Sequence, residues 1–137
     1  MLVILAQWPV MARHLAIFSK AEQIERILDG KSSVEVRLTQ DRIPPYGGIA
    51  KSDTIFLKAA GGLILGEVGV DNVLFFDRLD GETLGKLRRQ YGQELGLEDS
   101  FWLKPARFAT VVFLTKPRRY VTPVKFRKHD RRPWVLV

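Results

Sequence analysis

The stretch Gly30-Lys31-Ser32-Ser33-Val34-Glu35-Val36-Arg37-Leu38 gathers an ammonium, two hydroxyls, a carboxylate and a guanidinium into one short span. Such a set supports two kinds of chemistry. In a hydrolase, Glu35 is the general base and Lys31 or Arg37 stabilises developing negative charge. In a binding site, Arg37 holds a phosphate while Glu35 accepts from a base amino group or fixes Arg37. Ser32 and Ser33 lack an evident activating base, which argues against acyl transfer through serine. Val34, Val36 and Leu38 alternate with Ser33, Glu35 and Arg37, and successive side chains of a strand point to opposite faces. The stretch is therefore a strand with an apolar face toward the core and a polar row on the other side. On that reading, Arg37→Ala leaves the fold intact.

The elements around it follow from local signals. Residues 13–18 form a short buried strand. Ser19 followed by Glu22 matches a capping box and starts a helix in which Ile24, Ile27 and Leu28 share a face and Gly30 is the stop. Asp41 to Gly48 is a Pro/Gly-rich loop with Tyr46 at its tip, serving either as a lid on the core or as a stacking surface. Lys51-Ser52-Asp53 turns the chain into a strand containing Ile55, Leu57 and Lys58. Gly61-Gly62 makes a hairpin to residues 63–70, and this strand pair is expected to be central. Val73 to Phe76 continues the sheet. Asp80 caps a second helix, with Leu84, Leu87 and Tyr91 on one face and Gly92 at its end. Phe101-Trp102 is core or rim packing, residues 108–114 are a strongly apolar strand, and Trp134 opens a final one. Five to seven strands with two short helices make an α+β domain built on a small barrel.

The chain has 137 residues, enough for one domain with a proper core, and its 46% hydrophobic and 27% charged composition is that of a soluble folded protein. No apolar run reaches the length of a spanning helix. Residues 1–12 are an N-terminal extension or extra strand, with Met11 as an alternative start, and the domain proper is 13–137. The opening residues lack a basic leader, so the expected location is cytoplasmic. With no cysteine and only His14 and His129, no metal and no other cofactor are expected. Between Lys116 and Arg132 lie eight cationic residues against Asp130 alone, an excess equal to the whole net charge of +7. Charge concentrated in this way points to a polyanionic partner.

Helix-Gly30-Lys31-Ser32-Ser33-Val34-Glu35-Val36-Arg37, then Lys51-Ser52-Asp53-Thr54-Ile55, Gly66-Glu67-Val68, and Lys128 to Trp134 leading into the last strand, together resemble the ASCH domain family of the PUA-like superfamily. The resemblance implies a PUA-like small β-barrel with flanking short helices, and an RNA-binding module with a basic cleft beside the second strand. The implied partner is single-stranded or structured RNA, tRNA included; the oligomeric state is not fixed by the sequence, with a monomer as the default. The implied contact residues are Lys31, Ser32, Ser33, Glu35, Arg37, Tyr46, Lys51, Lys58, Arg127, Lys128, Arg131, Arg132 and Trp134. Some members of the family are enzymes, so the alternative is a hydrolase, a ribonuclease or a modified-nucleoside amidohydrolase, using Lys31, Glu35 and Arg37 in the same cleft. The amidohydrolase-like members place a lysine and a threonine where this chain has Ser32 and Glu35, so that catalytic pair is missing.

Overall fold

The computed structural model describes residues 11–127 and 131–137; the expectations for residues 1–10 and for Lys128 lie outside them. Six strands form one curled sheet: β1 (Arg13–Phe18), β2 (Val34–Thr39), β3 (Thr54–Ala59), β4 (Ile64–Phe76), β5 (Phe108–Val124) and β6 (Trp134–Leu136). Their spatial order is β2-β5-β4-β3-β1-β6, which makes the β3/β4 hairpin central and leaves β2 and β6 as the edges. All pairings are antiparallel except β1 with β3, where His14 lies beside Ile55 and Leu15 beside Phe56. This is an α+β small barrel.

Three helices complete it: α1 (Ala21–Leu28), α2 (Gly81–Leu95) and α3 (Asp99–Leu103). The inner face of the sheet receives α1, whose Ile24 and Ile27 pack with Ala16, Phe18, Leu57, Val68, Val112 and Trp134. On the opposite side of β2 and β5, α2 packs Leu87, Tyr91 and Leu95 against Val34, Val36, Ala109 and Val111. The alternation in β2 is therefore real, but both of its faces are covered. The Glu35 and Arg37 side chains are only 11% and 15% exposed, because the curl of the sheet turns that row inward.

Two helix boundaries differ from the sequence expectation. The N-cap of α1 is Lys20, one residue later than Ser19, so the reciprocal role falls to Gln23, whose Oε1 accepts from the Lys20 amide at 3.4 Å. The second helix does not stop at Gly92. Tyr91 and Leu95, four apart, carry the apolar stripe one turn further, and Gly96, at φ +63°, ends the helix. Gly92 instead lies against the Trp102 indole, 3.9 Å from where a Cβ would sit. Asp80 caps α2 as expected, accepting from the Thr83 amide at 2.8 Å, and Gly30 takes φ +76° after α1.

A buried polar relay fastens β6, β1 and the turn before β3. The Trp134 indole donates to His14 Nδ1 at 3.0 Å, so the imidazole carries its proton on Nε2, which donates to Asp53 Oδ2 at 2.8 Å. Asp53 also accepts from the amides of Ala12 and Ala50, both at 3.0 Å. All three side chains are almost inaccessible, and the relay satisfies every polar group in it.

Candidate functional site

Glu35 and Arg37 lie two residues apart on one face of β2, which brings Arg37 Nε to within 2.8 Å of Glu35 Oε2. Arg37 then reaches across the gap between the sheet edges. Its Nη2 donates to the carbonyl of Ile17 in β1 at 3.0 Å, and its Nη1 makes a longer contact of 3.5 Å to the carbonyl of Pro133. The guanidinium also sits over the rings of Phe18, at 4.8 Å, and Trp134, at 5.2 Å. Three of its five N–H groups are thus engaged, which leaves one on each terminal nitrogen. Since these contacts tie β2 to β1 and to the entry of β6, Arg37 is structural, contrary to the expectation that Arg37→Ala spares the fold.

Burial pushes the Glu35 carboxyl above the ordinary carboxylate range. The charge and hydrogen bond of Arg37, and the Val36 backbone, pull it back only in part. A buried carboxyl with a raised proton affinity beside a fixed guanidinium can accept from a base edge or exchange a proton.

The two residues form part of the wall of a cleft of about 420 Å³ between the barrel and the helices. The rest of its lining comes from segments far away in sequence. Ser19, Lys20 and Gln23 enter from the start of α1, Pro133 from the approach to β6, and Leu97, Glu98, Ser100, Phe101 and Lys104 from the connection after α2 and from α3. Lys20 Nζ pairs with Glu98 at 2.7 Å across the mouth. That bond holds the Glu98 carboxyl below its ordinary range and raises the Lys20 ammonium, keeping both charged. Lys104 Nζ lies 5.9 Å from the centre of the Phe101 ring, so a cation and an aromatic face share one rim.

The remaining sequence candidates are distributed more widely. Ser32 is buried and donates to the carbonyl of Val34 at 3.1 Å. Ser33 fastens β2 to α2, its amide and hydroxyl both meeting Glu94 Oε1 at 3.0 Å. Lys31 and Lys51 are exposed at turns outside the cleft lining. Lys58 is buried, with Nζ 3.3 Å from the Ala59 carbonyl. Tyr46 packs on Phe108 at 4.8 Å and Phe75 at 5.4 Å, with Arg42 over its ring. Trp134 is core, its ring beneath Arg37. Arg127, Arg131 and Arg132 are exposed on the segment between β5 and β6.

The residues that sequence reasoning missed are Ser19, Lys20, Ser100, Phe101 as a cleft wall, and Lys104. Only Ser19 carried a local signal, and that signal was absorbed by the capping box. Among the described residues, no group of three potential metal-ligating side chains comes together, and no helix is long and apolar enough to cross a membrane.

No protein-family model matches the sequence, and no curated protein matches it. Solved structures do. The ASCH protein of Zymomonas mobilis superposes with a TM-score of 0.68 at 18% identity over 92% of this chain and 87% of that one. Its serine-to-alanine variant gives 0.70 at 18% identity over 95% and 91%, and its tyrosine-to-phenylalanine variant 0.69 at 18% over 92% and 90%. The chain therefore has the fold of these ASCH structures.

Proposed function

We propose that this ASCH-fold domain binds single-stranded or looped RNA in the cleft between β2 and α3. The observation that carries the reading is the convergence on one concavity of a buried carboxylate–guanidinium pair with two lysines, two serines and an aromatic ring drawn from three distant segments. Each group has a part in holding a nucleotide. Lys104 meets a phosphate, the Lys20–Glu98 pair frames the mouth, Phe101 offers a face for stacking, and Glu35 accepts from a base amino group while the spare N–H groups of Arg37 donate to a carbonyl or phosphate oxygen.

A salt titration tests this. Each lysine that neutralises a phosphate of a single strand contributes about 0.7 to the slope of log K against log salt. Lys104→Gln is therefore expected to bind a fluorescent oligoribonucleotide more weakly, with the slope shallower by roughly 0.7. Its side chain is at the surface, so the fold is retained. Unaltered affinity and slope would remove RNA from this cleft.

One observation favours a second reading, a hydrolase acting on RNA or a modified nucleoside. The Glu35 carboxyl is held above its ordinary range at the wall of a cleft, which suits a general acid or base. Substrate turnover that is lost in Glu35→Gln while binding persists would establish it.

A further inference from the structure

We infer that the domain carries a second RNA-contacting surface, the apolar and cation-flanked groove along the distal half of β5, which takes up the strand leaving the cleft. This rests on the RNA reading of the cleft and extends it to a different part of the molecule. The groove, about 710 Å³, is lined by Phe56, Ile64, Arg118, Tyr120, Val124 and Phe126 among others. It exists because β4 and β5 lose register. Gly66 lies opposite Arg119 but Ile64 opposite Val124, so the longer run of β5 arches away from its partner. Val121, 102% exposed, stands on the arch, and Val124 and Phe126 are 47% and 36% exposed.

Charge and continuity select the occupant. Arg119 is already committed, to Glu25 at 2.6 Å and Asp29 at 2.9 Å. Arg118 lies 5.4 Å over the Tyr120 ring and shares Glu67 with the Tyr120 hydroxyl. Lys125 and Arg127, the chain neighbours of the groove residue Phe126, are exposed and form no ion pair among the described residues. A second copy of the chain would set one surplus of +7 against another. A polyanion with planar apolar groups meets both features, as stacking platforms beside cationic grooves do for single strands. The chain also passes from the groove wall at Phe126 to the cleft wall at Pro133. Seven residues span at most about 25 Å, which bounds the straight-line separation of the two walls.

The test is anisotropy with labelled oligouridylates of about 4 and about 16 nucleotides, bracketing known single-strand site sizes. The wild type is expected to bind the longer one more tightly. Phe126→Ala should weaken the long oligomer roughly 5- to 150-fold, the range for losing a stacked base, Lys125→Glu with Arg127→Glu should weaken it and flatten its salt dependence, and Phe126→Ala should leave the short one unchanged. Equal affinity for both lengths in the wild type, or variants that bind the long oligomer normally, overturns the groove and spares the cleft. Failure of the wild type to bind either oligomer overturns both. If sedimentation shows a dimer that Val121→Asp dissolves, or if anionic vesicles capture the protein through this face, the groove has another occupant and the inference is wrong.

Discussion

Replacing Arg37 by alanine should destabilise the protein in a pH-dependent way, and the size of the effect follows from the surroundings of Glu35. That carboxylate is 11% exposed, with Arg37 its charged partner at 2.8 Å. Removing one member of a buried pair costs about 3–5 kcal/mol, because an uncompensated charge is left behind. For a domain of this size, that corresponds to a fall in Tm of roughly 10–20 °C. The loss is not constant with pH. Desolvation already holds the folded-state proton affinity of Glu35 above its ordinary value. Its contribution is therefore fully present below the ordinary carboxylate range and is lost as pH rises through the raised folded value. Without Arg37 the raised value climbs further, so the penalty is largest at neutral pH and shrinks on acidification. Urea denaturation of wild type and Arg37→Ala at neutral and at mildly acidic pH measures this. The double variant Glu35→Leu with Arg37→Met, which removes both charges, should recover most of the loss. A penalty below about 1 kcal/mol at neutral pH, or one independent of pH, would refute the account of Arg37 as a buried brace.

Three further outcomes are expected. Asp53→Ala strips acceptors from His14 and from two backbone amides in a buried site and should cost about 3–5 kcal/mol in chemical denaturation; a loss no larger than a surface substitution gives would show that the relay is not a buried brace. Gly66→Ala places a Cβ 2.5 Å from the Arg118 carbonyl and 2.8 Å from Leu28 Cδ2. That should lower stability by about 1–3 kcal/mol or more and shift Tm accordingly, whereas an unshifted Tm would mean that β4 and β5 separate freely there. Burial and its bond to Glu67 push the Tyr120 phenol up to about 12, so an ultraviolet titration should show one tyrosine ionising near there, and Tyr120→Phe should abolish that step; ionisation of Tyr120 in the normal range would sink the assignment.

The strands were legible because their signal is local. Alternation located β2, apolar runs located β1, β6 and the start of β5, and Gly61-Gly62 located the central hairpin. Asp80 and Gly30 announced helix ends through single-residue chemistry. Gly92 misled because glycine alone was taken as a stop, although Leu95 continues the stripe beyond it. Glu35 and Arg37 were found as a pair, but their inward direction was not, since alternation distinguishes two faces without saying what covers each. The lysines and serines of the cleft rim were illegible for a deeper reason. Ser19 and Lys104 come to line one cleft only after the whole sheet has curled, and nothing within ten residues of either records it. The same holds for His14, Asp53 and Trp134, which looked like isolated polar and aromatic residues and form one relay.

The two edge strands, β2 and β6, are not joined by a backbone ladder; a guanidinium spans the opening between β2 and the chain entering β6. The cylinder is therefore split along one side, and the cleft lies along that seam. Backbone ladders resist change in proportion to their many bonds, but a seam bridged by side chains can be set wider or narrower by a few substitutions. The shape of the slit can thus change while the five-ladder wall behind it stays as it is.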